Sequence, residues 1–157
     1  MNKKYTGIEY MLYVNKNVKF DKVAKFFEKY QCDVDVQVDN KHIYVKSKNT
    51  SDCIDTQLFI TENKYKEYLL EFEQDMREDD PKNKENWKEI LKKMKKYDSY
   101  HLIKAYSENE NKYVILLALY VVKKSGNVLL FDTRKGEYYG KKEIKLLGKI
   151  IKKCKFS

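Results

Sequence analysis

Tyr113–Tyr139, YVILLALYVVKKSGNVLLFDTRKGEYY, is the stretch whose reading decides the fold. An apolar block from Tyr113 to Val122 ends at Lys123-Lys124, and Gly126 follows where a helix needs a left-handed cap. Two short strands then flank the turn Asp132–Gly136: Val128–Asp132 and Glu137–Tyr139. The reading is a buried helix, a glycine cap and a hairpin in succession. With the strand predicted over Tyr100–Tyr106, where Tyr100, Leu102, Lys104 and Tyr106 share one face, the order becomes strand, helix, hairpin.

Working outward, the same order recurs near the start. EYMLYV (9–14) reads as a strand, apolar enough to be central in a sheet. Asp21 is placed to cap a helix whose stripe is Val23, Phe26, Phe27 and Tyr30. Val34, Val36 and Val38 alternate with Asp33, Asp35 and Gln37, the mark of a strand wet on one side. Asp39-Asn40-Lys41 supplies a turn, and His42–Lys46 returns as the hairpin partner. The expectation is one α+β domain over 1–157, a mainly antiparallel sheet with helices packed on one face. Within it lie two strand-helix-strand-strand units, 9–46 and 99–139. Between them, Thr56–Ile60 reads as a short strand and Thr61 as an N-cap. Two amphipathic helices follow, one on Tyr65, Leu69, Phe72 and Met76 and one on Trp87, Ile90, Leu91 and Met94, broken at Asp80-Pro81. A last helix directs Ile144, Leu147, Ile150, Ile151 and Cys154 inward.

Composition bounds the partners. The formal charge is +9, which raises acidic surfaces of every kind, yet Arg77 and Arg134 are the only arginines. Base reading depends on the planar guanidinium fork, so specific nucleic-acid recognition is not expected. Abundant Lys, Asn, Tyr and Ile also follow from an A/T-rich coding bias, which raises the charge without selection for a ligand. Three widely spaced cysteines, Cys32, Cys53 and Cys154, fit reduced thiols in a cytoplasmic monomer. The Tyr113–Val122 block falls far short of the ~20 apolar residues that span a bilayer, so no membrane partner is expected.

Chemistry-bearing motifs are sparse. His42 and His101 are the only histidines and lack metal-ligand spacing; Asp33 and Asp35 read as the wet side of an amphipathic strand. Neither a phosphate loop nor a nucleophile elbow is present, so no catalytic residues, metal or cofactor are expected. Fourteen tyrosines are the more suggestive excess, because rigid amphipathic rings suit interfaces. Arg134 and Lys135, beside Tyr138 and Tyr139 on the hairpin, form the candidate partner-binding set.

IEYMLYV (8–14), FITENKYKEYLLEF (59–72) and the late helix, glycine and NVLLFDTRKGEYY (127–139) together resemble, in layout, the small cytoplasmic immunity proteins of bacterial polymorphic and contact-dependent toxin systems. The resemblance implies a non-catalytic inhibitor that binds and neutralises a cognate toxin domain. Inhibitors of nuclease toxins tend to be acidic and this chain is basic, so the resemblance implies either an acidic toxin surface or a toxin other than a basic nuclease. The repeated order is also similar to tandem GyrI-like modules, which would imply a small ligand between the units. A lysine-rich nucleic-acid-binding module is the third reading.

Overall fold

The computed structural model describes residues 7–15, 17–30, 32–39, 42–58, 62–106 and 112–154. Seven strands are joined in one sheet: β1 (Ile8–Val14), β2 (Val34–Val38), β3 (His42–Ser47), β4 (Cys53–Leu58), β5 (Ser99–Tyr106), β6 (Leu129–Asp132) and β7 (Glu137–Gly140). Their spatial order is β2-β3-β4-β5-β1-β6-β7, and every neighbouring pair is antiparallel. Among the described residues there are five α-helices: α1 (Val23–Lys29), α2 (Glu62–Asp79), α3 (Lys84–Met94), α4 (Lys112–Ser125) and α5 (Lys141–Cys154). The expected α+β class is the observed one.

Helices cover both faces of the sheet, not one. On the first face, α1, α4 and α5 pack over Tyr10, Leu12, Val14, Ile43, Val45, Ile54, Ile103, Ala105 and Leu130. The run Leu116-Leu117-Ala118 of α4 is fully buried, as a helix apolar all round must be. On the opposite face, α2 and α3 bring Tyr65, Tyr68, Leu69, Phe72, Ile90 and Met94 onto Met11, Tyr13, Tyr100, Leu129, Phe131 and Tyr138. The cause lies in β1 and its neighbours, which alternate apolar residues with other apolar residues. Strands of that kind must be sheltered on both sides.

The two units recur in element order but not in sheet geometry. Following β5, α4 carries the chain over one strand, β1, to β6; following β1, α1 carries it over β5, β4 and β3 to the far edge at β2. Between the units, β4 and β5 are neighbours, and the chain joining them runs through α2 and α3 on the other face.

Several local details differ from expectation. The N-cap of α1 is Lys22, with no side-chain cap bond, rather than Asp21. The third hairpin strand begins at Cys53, three residues before the expected Thr56, because it pairs with β3 through Lys46↔Cys53. Thr61, the turn residues Asn40 and Lys41, and the Cys154 side chain lie outside what is described. Gly126, at φ +77°, ends α4 in the left-handed conformation expected of it. His101, within β5, is enclosed at 4% exposure.

On α5, Ile144 is buried and Ile151 half-buried, but Ile150, expected inward, is 54% exposed. Gly148 sets that rotation: a β-carbon there would stand 2.8 Å from Leu119 Cδ2 of α4, so the two helices meet on the bare backbone. Replacing Gly148 with Leu drives a branched side chain into that contact. We expect a loss of about 1–3 kcal/mol in urea denaturation, despite leucine's better helix propensity. An unchanged midpoint would show that α4 and α5 do not approach so closely.

Candidate partner-binding surface

The β6–β7 turn is built by one side chain. Asp132 is buried at 2% exposure, and its Oδ1 accepts hydrogen bonds from the backbone N–H of Arg134 (3.0 Å) and Lys135 (3.2 Å). Gly136 N–H donates to the Asp132 carbonyl at 2.8 Å, with Gly136 at φ +67°, where glycine bears no steric penalty. Thr133 ties the turn sideways to β1: its Oγ1 and its N–H both donate to the Glu9 carbonyl, at 2.7 Å and 3.2 Å. Arg134 and Lys135 are consequently exposed at the tip of a fixed edge hairpin.

Tyr138 and Tyr139 do not join them. Successive strand residues point to opposite faces. Tyr138 therefore stacks on Phe131 on the α2–α3 side, ring centroids 4.3 Å apart, and burial pushes its hydroxyl pKa up. Tyr139 packs against the α4 side and donates a 2.8 Å hydrogen bond to Glu137 Oε2, its pKa pushed up to about 12 by burial and the nearby carboxylate. The structure brings together Arg134 and Lys135 as a presented pair, and it places the two tyrosines, half-buried, on opposite sides of the sheet.

Most of the tyrosine excess serves packing. Tyr13, Tyr65, Tyr68, Tyr97 and Tyr100 form a ring cluster in the α2–α3 core, Tyr13 contacting the other four at 5.9–6.5 Å between centroids. Tyr13 and Tyr68 share a 2.6 Å hydroxyl–hydroxyl hydrogen bond, and Tyr65 donates one of 2.6 Å to the Met94 carbonyl. These bonds satisfy polar tips that would otherwise be costly to bury. Burial raises the pKa of each ring in this set, Tyr68 and Tyr97 to about 12. Some lysines are likewise engaged on aromatic faces: Lys123 lies over Phe26 and Tyr30, and Lys124 over Tyr120, with 5.1–5.9 Å to the ring centroids.

A polar array, not apparent from the sequence, lies on the α2–α3 side of the β2–β3–β4 half. Register aligns Asp35, Lys46 and Cys53 in one row and Gln37, Tyr44, Asp55 and Lys104 in the next. His42 Nε2 rests against Asp55 Oδ1, and Lys48 Nζ reaches Asp33 at 3.8 Å and Asp35 at 3.9 Å. These are cross-strand neighbours in water, each worth little on its own. The Cys53 thiol is pushed up by burial, the opposite of what activates a nucleophile. Among the described residues, no group of three or more His, Cys, Asp or Glu side chains is placed to hold a metal. None of the helices described is long and apolar enough to cross a membrane.

No family model, curated protein or solved structure matches the chain.

Proposed function

We propose that this chain is a non-catalytic binding protein that neutralises a toxin domain by covering its working surface, the role implied by the immunity-protein resemblance. The observation that carries the reading is the Asp132-centred turn, which holds Arg134 and Lys135 outward on a backbone already fixed by five hydrogen bonds. A contact made by a prefixed loop loses little conformational freedom on binding, so more of its interaction energy appears as affinity. Two cations at the tip of a chain with formal charge +9 favour a carboxylate-rich contact and speed the encounter with it.

Arg134→Glu combined with Lys135→Glu reverses the charge of the tip and leaves Asp132 and Gly136 to keep the turn. Co-expression with any toxin-like domain found encoded beside this chain tests the reading. The double variant is expected to fold normally, to lose co-purification and to leave cells unprotected, with a penalty of about 2–5 kcal/mol for pairs that become buried. A variant that protects cells as well as the parent chain would move the contact elsewhere. A parent chain that neither binds nor protects would end the inhibitor reading itself.

A further inference from the structure

An open sheet has two edges, here β7 and β2. The β7 edge is closed off: the strand is four residues long, runs straight into α5, and its Gly140 N–H is taken by Glu143 Oε2 at 3.1 Å. The β2 edge is open. On its inner side the Asp33 carbonyl accepts from the Lys48 N–H at 3.0 Å, and the Asp39 N–H donates to the His42 carbonyl at 2.9 Å, both in register with the β2–β3 ladder. Backbone groups alternate sides along a strand, so Asp35 and Gln37 also bond inward. The N–H and C=O of Val34, Val36 and Val38 therefore point away from the sheet. Among the described residues nothing pairs with them. Within β2 there is no proline, bulge or lysine, the usual protections of an exposed edge.

We propose that two copies of this chain join through this edge, β2 against β2, antiparallel about a two-fold axis at Val36. The sequence Val34-Asp35-Val36-Gln37-Val38 is its own complement in that register. Val36 faces Val36 and Val34 faces Val38, so the outward N–H and C=O of three valines on each copy are all satisfied, in six backbone bonds. The valine side chains stay on the side where Val34 and Val36 already pack against the core, and Val38, 41% exposed, gains Val34 of the other copy as a neighbour. On the wet side Asp35 faces Gln37, whose amide can donate to the carboxylate. Sliding the register by two residues sets Asp35 against Asp35, or Gln37 against Gln37, and leaves four bonds within β2. Repulsion opposes the contact. Asp33 faces Asp39 at each end, offset only in part by Lys46 and by Lys48, whose Nζ lies 3.8 Å from Asp33 and 3.9 Å from Asp35. The exposed charges of α1 beside the edge, Lys25, Glu28 and Lys29, are net positive in both copies, and each whole chain carries +9. Salt screens these repulsions, so the pairing tightens as salt is raised. Two five-residue strands cover less than the roughly 1,000 Å² of a stable interface, and the dimer is weak. Each copy has one open edge, so growth stops at two. The contact lies at the sheet edge opposite the β6–β7 turn and is independent of it. At high concentration this dimer replaces the monomer expected from the sequence.

Sedimentation velocity from about 10 to 500 μM protein, in roughly 50 and 500 mM salt, tests this contact. The parent chain is expected to approach twice the monomer mass, more readily in the high-salt series, and not to exceed it. Over the same concentrations the amide protons of Val34, Val36 and Val38 should become protected from exchange. Val36→Pro removes an outward N–H that β3 does not use, and this variant should remain monomeric. Two exposed substitutions test the register without touching the valines. Gln37→Lys sets a cation against Asp35 and Gln37→Asp a second carboxylate. Two such pairs per dimer should separate their dissociation constants by roughly tenfold, the lysine variant being tighter. Gln74→Lys adds the same charge on α2, away from the edge, and should match the parent; circular dichroism confirms that each variant is folded. A parent chain monomeric throughout overturns the proposal, and so does growth beyond the dimer. A dimer indifferent to both substitutions at Gln37 overturns it too. If a monomeric parent binds a Val-Lys-Val-Lys-Val peptide and Val36→Pro does not, the edge belongs to a foreign basic strand instead.

Discussion

Shortening Leu117 to Ala should cost about 3–5 kcal/mol of folding stability and lower the thermal midpoint by about 10 °C or more. Leu117 is fully buried in the middle of α4, whose side chains help form the core over the first face of the sheet. Removing its branched end loses transfer free energy and leaves a void that neighbours held in place by the sheet fill only in part. Leu70→Ala is the matched control, since Leu70 is 67% exposed on α2 and the same truncation there should stay within about 0.5 kcal/mol. Urea denaturation at low protein concentration compares the two. Equal losses, or a Leu117 loss below about 1 kcal/mol, would mean that α4 is not the central element of the core.

Acid should weaken the fold through His101. The ring is 4% exposed, meets the Phe20 ring edge-on with 5.0 Å between centroids, and its Nδ1 has no hydrogen-bond partner among the described residues. Burial pushes its pKa down to about 4, from the ordinary value of 6.5. Between those two values the unfolded chain binds a proton that the folded chain excludes. Stability therefore rises with pH across this window. Its loss begins as pH falls below about 6.5, and it reaches about 3 kcal/mol near pH 4, where the folded state also takes up the proton. Denaturation at a series of pH values measures the slope, and His101→Gln should flatten this window while leaving the acid dependence of the carboxylates. An identical slope in the variant would mean that His101 is charged in the folded protein, or reaches water.

Local order was legible because few conformations satisfy its periodicities. Val34, Val36 and Val38 among Asp33, Asp35 and Gln37 suit only a strand wet on one side, and Tyr113–Val122 before Gly126 suits only a buried, capped helix. Strand partnership was not legible, since nothing in IEYMLYV says that β5 and β6 will be its neighbours. The second helical layer has its signal in β1: Met11 and Tyr13 are apolar on the side opposite Tyr10, Leu12 and Val14, so both sides of the strand need cover. At the candidate site, exposure of Arg134 and Lys135 followed from the turn, whereas Tyr138 and Tyr139 were grouped by sequence adjacency, which in a strand separates them. Ile150 was misplaced because a helical stripe drawn from spacing alone is broad. Only the close approach at Gly148 selects which edge of that stripe is buried.

The central place of β1 has a consequence for the order of events during synthesis. Its hydrogen-bonded neighbours are β5 and β6: Ser99 Oγ donates to the Val14 carbonyl across 85 residues of sequence, and Thr133 to Glu9 across 124. At about 5–20 residues per second, a nascent chain waits roughly 4–17 s after making β1 before the first partner strand is even polymerised. Throughout that wait Met11-Leu12-Tyr13-Val14 is an unpaired apolar segment, open to a chaperone or to another nascent chain. β1 gains its second neighbour only with β6, so a ribosome stalled in α4, before β6 exists, holds a chain that lacks one of β1's two neighbours.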